Sequence, residues 1–194
     1  MRTFILRARK SVTKPFDIDD LSSAGNMQVV ASCIGNALWV SNNVRSDTVV
    51  HVVLEGPPTP PLTVTFYGAA IKDLPFDERG IAFFVNKAIK KSIKMGDSKE
   101  VSPGVMVSRK SFEEVVKAHT ETSAVFYLHP KGKDVRSVEF TEDVTFVFGD
   151  YIGMPEKSES FLDKLGAERV TLGPVVLFAS QCVTIVQNEL DRRK

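Results

Sequence analysis

The stretch Val49-Val50-His51-Val52-Val53-Leu54-Glu55-Gly56-Pro57-Pro58-Thr59-Pro60-Pro61 decides the architecture. Its first six residues are almost wholly β-branched or aliphatic, as in a strand covered on both faces. From Gly56 to Pro61 neither a helix nor a central strand can form, because proline lacks the N–H that both need. A doubly buried strand ending in a Gly/Pro loop belongs to an open α/β sheet, in which ligands bind beyond the carboxyl ends of the strands.

Outward from this stretch, strands and helices alternate. Thr3–Ala8 reads as a first strand. Met27, Val30, Ala31, Ile34, Leu38 and Val40 recur near a 3.6-residue period and predict a largely buried helix. Leu62–Phe66 reads as a strand, and Ile81, Phe84, Val85, Ala88 and Ile89 mark an amphipathic helix. Residues 95–104, rich in Gly, Ser, Asp and Pro, read as a loop. Ser111–Ala118 reads as a short helix with Ser111 and Glu114 at capping-box spacing. Ala124–Leu128, Val144–Phe148 and Arg169–Leu172 are strand candidates, and Val176–Leu190 a last helix whose end carries Arg192, Arg193 and Lys194. The expected fold is one α/β domain over residues 1–194, with a mainly parallel sheet flanked by helices on both faces.

Composition narrows the class. The chain has 194 residues, of which 43% are hydrophobic, and 25 Lys+Arg balance 24 Asp+Glu. No apolar run approaches a membrane span. The first ten residues lack a signal peptide's apolar core and cleavage site. Cys33 and Cys182 stand far apart, and His51, His119 and His129 show no ligand spacing, so neither a disulfide framework nor a metal site is expected. A cytoplasmic protein without membrane attachment is the expectation. The charge is nevertheless uneven. Arg2, Arg7, Arg9, Lys10 and Lys14 cluster at the start, and Lys87, Lys90, Lys91 and Lys94 cluster later, neither with an acid among them. Two such clusters on one face would suit a phosphate backbone; as separate patches they are solvated surface.

Three segments end a buried run with glycine and proline nearby: Glu55–Pro61, Gly149-Asp150-Tyr151-Ile152-Gly153-Met154-Pro155, and Leu172-Gly173-Pro174. Glycine admits a ligand close to the main chain and proline holds a loop in one shape. Together they suit a pocket of backbone groups around a planar base, or else are ordinary tight turns. Neither a GxGxxG nor a GxxxxGK[ST] phosphate loop is present.

The same segments carry a resemblance. Met1-Arg2-Thr3-Phe4, Val53 through Pro61, Asp77-Glu78-Arg79, Val147 through Gly153, Leu172-Gly173-Pro174, Ala179-Ser180-Gln181-Cys182 and Asn188 through Arg193 together resemble the archaeal tRNA pseudouridine-54 N1-methyltransferase family, within the trefoil-knotted SPOUT superfamily. The resemblance implies a SPOUT-type α/β knot with the C-terminal third knotted. It implies a homodimer, an RNA substrate (a tRNA), and S-adenosyl-L-methionine as cofactor. The cofactor contacts it implies are Leu128, Gly149, Leu172, Gly173, Pro174, Leu177 and Cys182. The chemistry would be methyl transfer to ring nitrogen N1 of a pseudouridine, with the activated methyl group coming from the cofactor.

Two segments depart from the family: Ser41-Asn42 stands where relatives commonly read Ser-His, ahead of a retained Arg45 and Asp47, and the loop entering the first helix has lost its charges. Where relatives usually read Gly-Arg-Met-Asp, this chain reads Gly25-Asn26-Met27-Gln28. Neutral amides hydrogen-bond a base edge but neither pair with phosphate as arginine does nor act as a base near pH 7. Asn26, Gln28, Arg45 and Asp47 are the substrate-pocket candidates, and the general base is left open. The alternative is a catalytically silent dimer that binds cofactor, RNA or both.

Overall fold

The computed structural model describes residues 1–93 and 96–193, so Lys94 and Lys194 of the expected basic segments lie outside the described residues. The strands are β1 (Arg2–Ala8), β2 (Trp39–Val40), β3 (Asn43–Val44), β4 (Thr48–Leu54), β5 (Leu62–Tyr67), β6 (Ser98–Ser102), β7 (Val105–Ser108), β8 (Ala124–Asp134), β9 (Val144–Gly149) and β10 (Glu168–Thr171). The helices are α1 (Met27–Leu38), α2 (Glu78–Ser92), α3 (Phe112–Thr120), α4 (Glu156–Lys164) and α5 (Ala179–Asp191). Eight strands form one sheet in the order β10-β8-β9-β1-β4-β5-β7-β6. From β10 to β4 every neighbouring pair is parallel. β5, β7 and β6 extend the sheet in antiparallel fashion.

Alternation along the central strands divides the core. Phe4, Leu6, Val50, Val52, Phe146 and Phe148 face α1, α2 and α5, whereas Ile5, Val53, Val125, Tyr127 and Val147 face α3 and α4. β1 and β4 therefore need apolar residues at nearly every position, which is why both read as continuous runs. The capping box at Ser111 and Glu114 forms as expected.

Four details differ from the reading of the sequence. Residues 98–108 are a hairpin turning at Pro103-Gly104, where glycine takes φ 74. Only one side of that hairpin is apolar, with Val101, Val105 and Val107 buried, so its polar edge strand resembles a loop. α4 goes unseen because it buries only Ser158 and Leu162 and so presents almost no apolar stripe. α1 stops at Leu38, and Val40 belongs to the small β2–β3 hairpin. α5 begins at Ala179, leaving Val175, Val176 and Phe178 exposed in an extended segment before it.

Candidate functional site

The carboxyl ends of β8, β9 and β10, the segment before α5 and the start of α5 enclose a cavity of about 540 Å³. Leu128, Gly149, Leu172, Gly173, Pro174, Leu177 and Cys182 all line it. Residues 54 positions apart in the chain meet there because parallel strands deliver their carboxyl ends to one rim.

Local chemistry shapes each wall. β9 ends at Gly149, where an added Cβ would lie 2.7 Å from the carbonyl carbon of Gly153, so the chain doubles back on itself with no room for a side chain. Asp150 fixes that turn. One carboxylate oxygen accepts the Ile152 N–H at 2.9 Å, and the other accepts the Arg9 N–H at 2.7 Å. The cavity wall is thereby fastened to the segment that follows β1. After β10, Gly173 takes φ +128 with open space where a Cβ would stand, and the Thr171 hydroxyl donates to its carbonyl at 3.0 Å. The Phe178 N–H is capped by Gln181 Oε1 at 3.0 Å, and Cys182 sits one turn inside α5. Burial pushes the Cys182 thiol above its ordinary pKa, so it is a small apolar wall and not a nucleophile. Cys33 is buried in α1, and burial raises its thiol too.

Two polar side chains on the wall escaped the sequence reading, in which His129 showed no ligand spacing. His129 Nδ1 accepts the Lys131 N–H at 3.0 Å, which leaves the ring proton on Nε2, 3.6 Å from Glu159 Oε2. Both residues line the cavity. Glu159 comes from the unseen helix α4, and nothing in its local sequence marks it.

The substrate-pocket candidates fall elsewhere. Asn26 precedes α1 in a left-handed conformation and accepts from Gln28 Nε2 at 3.2 Å, while Gln28 Oε1 is buried with no hydrogen-bond partner among the described residues. Arg45 and Asp47 stand at the amino ends of the strands, away from the cavity. Arg45 makes a two-pronged pair with Asp191 at 2.9 and 2.6 Å. Asp47 faces Arg2 at 3.4 Å and receives the Thr48 hydroxyl at 3.3 Å. The Arg45 and Arg2 guanidiniums hold the Asp191 carboxyl down to about 2. This network clamps α5 to the start of β1. The structure thus unites Asn26 with Gln28 and separates both from Arg45 and Asp47, and none of the four lines the cavity.

A family model described as "Putative SAM-dependent RNA methyltransferase" matches residues 1–194. The chain belongs to this RNA methyltransferase family. Among its relatives is a protein of Methanococcus maripaludis named tRNA (pseudouridine(54)-N(1))-methyltransferase, 38% identical over 199 residues and covering 100% of both chains. A protein of the same name from Methanocaldococcus jannaschii is 36% identical over 202 residues, covering 100% of this chain and 98% of its own. Archaeoglobus fulgidus Nep1, solved bound to S-adenosylhomocysteine, shares the fold with a TM-score of 0.62 at 14% identity, covering 98% of this chain and 96% of that one.

The methyltransferase's cavity fits the cofactor of its family. Its volume is within the usual range for a small-molecule site. Leu128, Phe148, Leu172 and Leu177 supply apolar walls for a flat base. Gly149 and Gly173 place no side chain between the main chain and the cavity, and Glu159 offers a carboxylate to hydroxyl or ammonium groups. Among the described residues no cluster of His, Cys, Asp and Glu is arranged to hold a metal, and no helix is long and apolar enough to cross a membrane.

Proposed function

We propose that this methyltransferase transfers the methyl group of S-adenosylmethionine to N1 of a pseudouridine in tRNA. The observation that carries the reading is the convergence of Leu128, Gly149, Leu172, Gly173, Pro174, Leu177 and Cys182 on one cavity, in a chain matched end to end by an RNA methyltransferase family. The names of its relatives support the choice of pseudouridine and of tRNA.

When bound, the cofactor supplies a methyl group already activated on a sulfonium sulfur. The chain's own part is to hold and to orient. Leu128, Leu172 and Leu177 would hold the cofactor's base away from water, and Gly149 and Gly173 would let it approach the main chain closely. Pro174 and Cys182 close the wall. A base within a folded RNA must be turned out to reach this site. Gln28 Oε1, buried and without a donor among the described residues, suits an N–H on the edge of such a base. The N1 proton must leave as the methyl group arrives. Asp150 is committed to two main-chain N–H groups, so Glu159 is the cavity carboxylate left to accept a proton.

The same reading carries a single knotted domain acting in the cytoplasm as a homodimer. An open groove of about 620 Å³ along α1, α2 and α5, edged by the exposed Phe76, supports a second copy seated there. Asn26 and Gln28 do not reach the cavity of their own chain, so in this reading a partner's cavity is what they serve. Size-exclusion chromatography with light scattering is expected to give two chains per particle.

The deciding experiment incubates the protein with methyl-labelled S-adenosylmethionine and pseudouridine-containing tRNA, then identifies the labelled nucleoside by mass spectrometry. The expected product is N1-methylpseudouridine. The neutral Asn26/Gln28 pair favours one competing reading, a silent cofactor- and RNA-binding dimer. Absence of label from protein that binds the cofactor would establish that reading.

A further inference from the structure

The cavity occupies only half of the sheet's carboxyl-end rim. Along the other half the strands run β1, β4, β5, β7, and their paired ends fix which loops are neighbours. Ala8 pairs with Leu54, Leu54 with Leu62, and Thr63 with Ser108. Arg9, Lys10 and Lys14 follow β1, and Arg109 and Lys110 follow β7, so the two groups share one rim about 14 Å apart, three strand spacings.

Hydrogen bonds lace the interval shut. The Thr13 N–H and hydroxyl donate to the carbonyls of Pro57 and Gly56 at 2.9 and 3.0 Å. The Thr59 N–H donates back to the Thr13 hydroxyl at 2.9 Å. Arg109 Nη1 reaches the Thr59 carbonyl at 2.9 Å, and the Thr63 hydroxyl donates to the Lys110 carbonyl at 2.7 Å. The Gly56–Pro61 loop is therefore a proline-stiffened floor between two sets of cations. On the far side, Asn86 of α2 holds the Phe16 main chain through bonds of 3.2 and 2.8 Å. Lys90, exposed, follows one helical turn beyond Asn86 on the same side of α2.

Most carboxylates near this rim are already engaged; Asp97, whose carbonyl accepts the Arg109 N–H at 3.1 Å, is the exposed acid at the far end of the strip. Glu55 is held by Arg7 Nε at 3.0 and 2.9 Å. Asp150 takes main-chain N–H groups, and Glu114 caps α3. Lys10, Lys14, Lys90, Arg109 and Lys110 are exposed and make no ion pair among the described residues. The strip runs directly into the cavity wall, since the Arg9 N–H is the donor that Asp150 accepts. Arg2 and Arg7, part of the same basic segment in the sequence, are absent from the strip because β1 buries them in internal ion pairs.

We propose that Arg9, Lys10, Lys14, Lys90, Arg109 and Lys110 form the track on which the phosphate backbone of the RNA substrate lies as its target base approaches the cavity. This rests on the RNA methyltransferase reading above. A line of unpaired cations on a stiff floor suits a polyanion, whose affinity grows with each neutralised phosphate and falls with salt.

The test compares the wild-type protein, the triple variant Lys14→Glu/Arg109→Glu/Lys110→Glu and a control, Lys117→Glu/Lys164→Glu, whose charges sit on α3 and α4. Binding to a pseudouridine-containing tRNA transcript is measured from 50 to 300 mM salt, and S-adenosylhomocysteine binding by calorimetry. The triple variant is expected to bind the RNA at least tenfold more weakly at 150 mM salt. Its log–log salt slope should be shallower by about 2 to 3, with cofactor affinity unchanged. The control is expected to match the wild type. An unchanged slope and affinity in a triple variant that still binds the cofactor overturns the track while leaving the RNA reading intact. A wild type with no salt-dependent RNA affinity overturns both.

Discussion

Replacing Gly149 with alanine adds one methyl group at the most constrained point of the cofactor cavity. The new Cβ would stand 2.7 Å from the carbonyl carbon of Gly153 and 2.9 Å from the Met154 nitrogen. Ordinary contact needs about 3.4 Å or more, so the 150–154 turn must retreat by roughly 0.5–1 Å at a cost of about 1–3 kcal/mol for overpacking. That turn is itself cavity wall, and Asp150 ties it to Arg9, so it cannot swing away freely. If cofactor binding requires the wall in its present place, the strain reappears in binding and affinity falls by about 5- to 150-fold. Gly166→Ala is the matched control. Gly166 adopts φ +79 with open space around its Cβ position and does not line the cavity, so alanine there strains the backbone without moving the wall. Titration calorimetry with S-adenosylhomocysteine, beside thermal melting of both variants, separates the two effects. A Gly149→Ala protein that binds within twofold of the wild type would refute the argument that this turn must stay where it is.

Other perturbations reach different parts of the molecule. Asn26→Arg with Gln28→Asp, made together, is expected to raise methylation of pseudouridine-containing tRNA in the labelled-methyl assay; a folded, cofactor-binding double variant with no gain would remove this loop from the substrate site. Beneath α3, His119 Nε2 lies 3.0 Å from His51 Nε2, and His51 Nδ1 lies 2.8 Å from the Thr65 hydroxyl. Burial first, then His119 and Lys110, push His51 down to about 3, so the folded chain keeps it neutral where the unfolded chain protonates near 6.5. Its stabilisation is present above pH 6.5 and is lost as pH falls below it. Urea midpoints should therefore show the wild type losing about 2 kcal/mol more than His51→Val between pH 7 and pH 5. Asp191, held down to about 2 chiefly by Arg45, contributes in the opposite class of group, with stability present above pH 4 and lost as pH falls toward 2. Asp191→Asn is expected to cost about 1 kcal/mol at pH 7, a figure discounted because the side chain is 38% exposed, and the gap to the wild type should close in acid.

Much of this architecture was legible because it rests on continuous apolar runs. β1, β4 and β9 are buried on both faces, and their sequences say so without reference to a partner. The hairpin of β6 and β7 and the helix α4 were not legible for the same physical reason in reverse. Each buries only a few side chains, so neither a period of 2 nor one of 3.6 stands above the polar background. Of the cavity, the glycine and proline turns were visible because an unusual backbone demands unusual residues. Naming their ligand took the likeness of several motifs at once. His129 and Glu159 carried no such mark. They lie 30 residues apart and acquire meaning only when α4 packs behind β8.

The basic segment at the chain's start shows how a charge pattern must be divided before it is interpreted. Arg2, Arg7, Arg9, Lys10 and Lys14 look alike in the sequence, yet the boundary of β1 at Ala8 sorts them. Arg2 and Arg7 lie within a strand with helices on both sides, where a cation persists only if paired. Arg2 accordingly meets Asp47, Asp191 and Gln187, and Arg7 meets Glu55 while stacking 4.5 Å over Phe112. Lys10 and Lys14 lie past the strand end, on a rim where solvent keeps a cation charged without a partner. The first pair thus anchors helices α3 and α5 to the sheet, and the second is free to attract a polyanion. The division predicts opposite phenotypes. Arg2→Ala should lower the melting temperature, whereas Lys14→Ala should leave melting unchanged and flatten the salt dependence of RNA binding. Reversal of that order would mean that the strand boundary does not separate structural from ligand-binding charge in this fold.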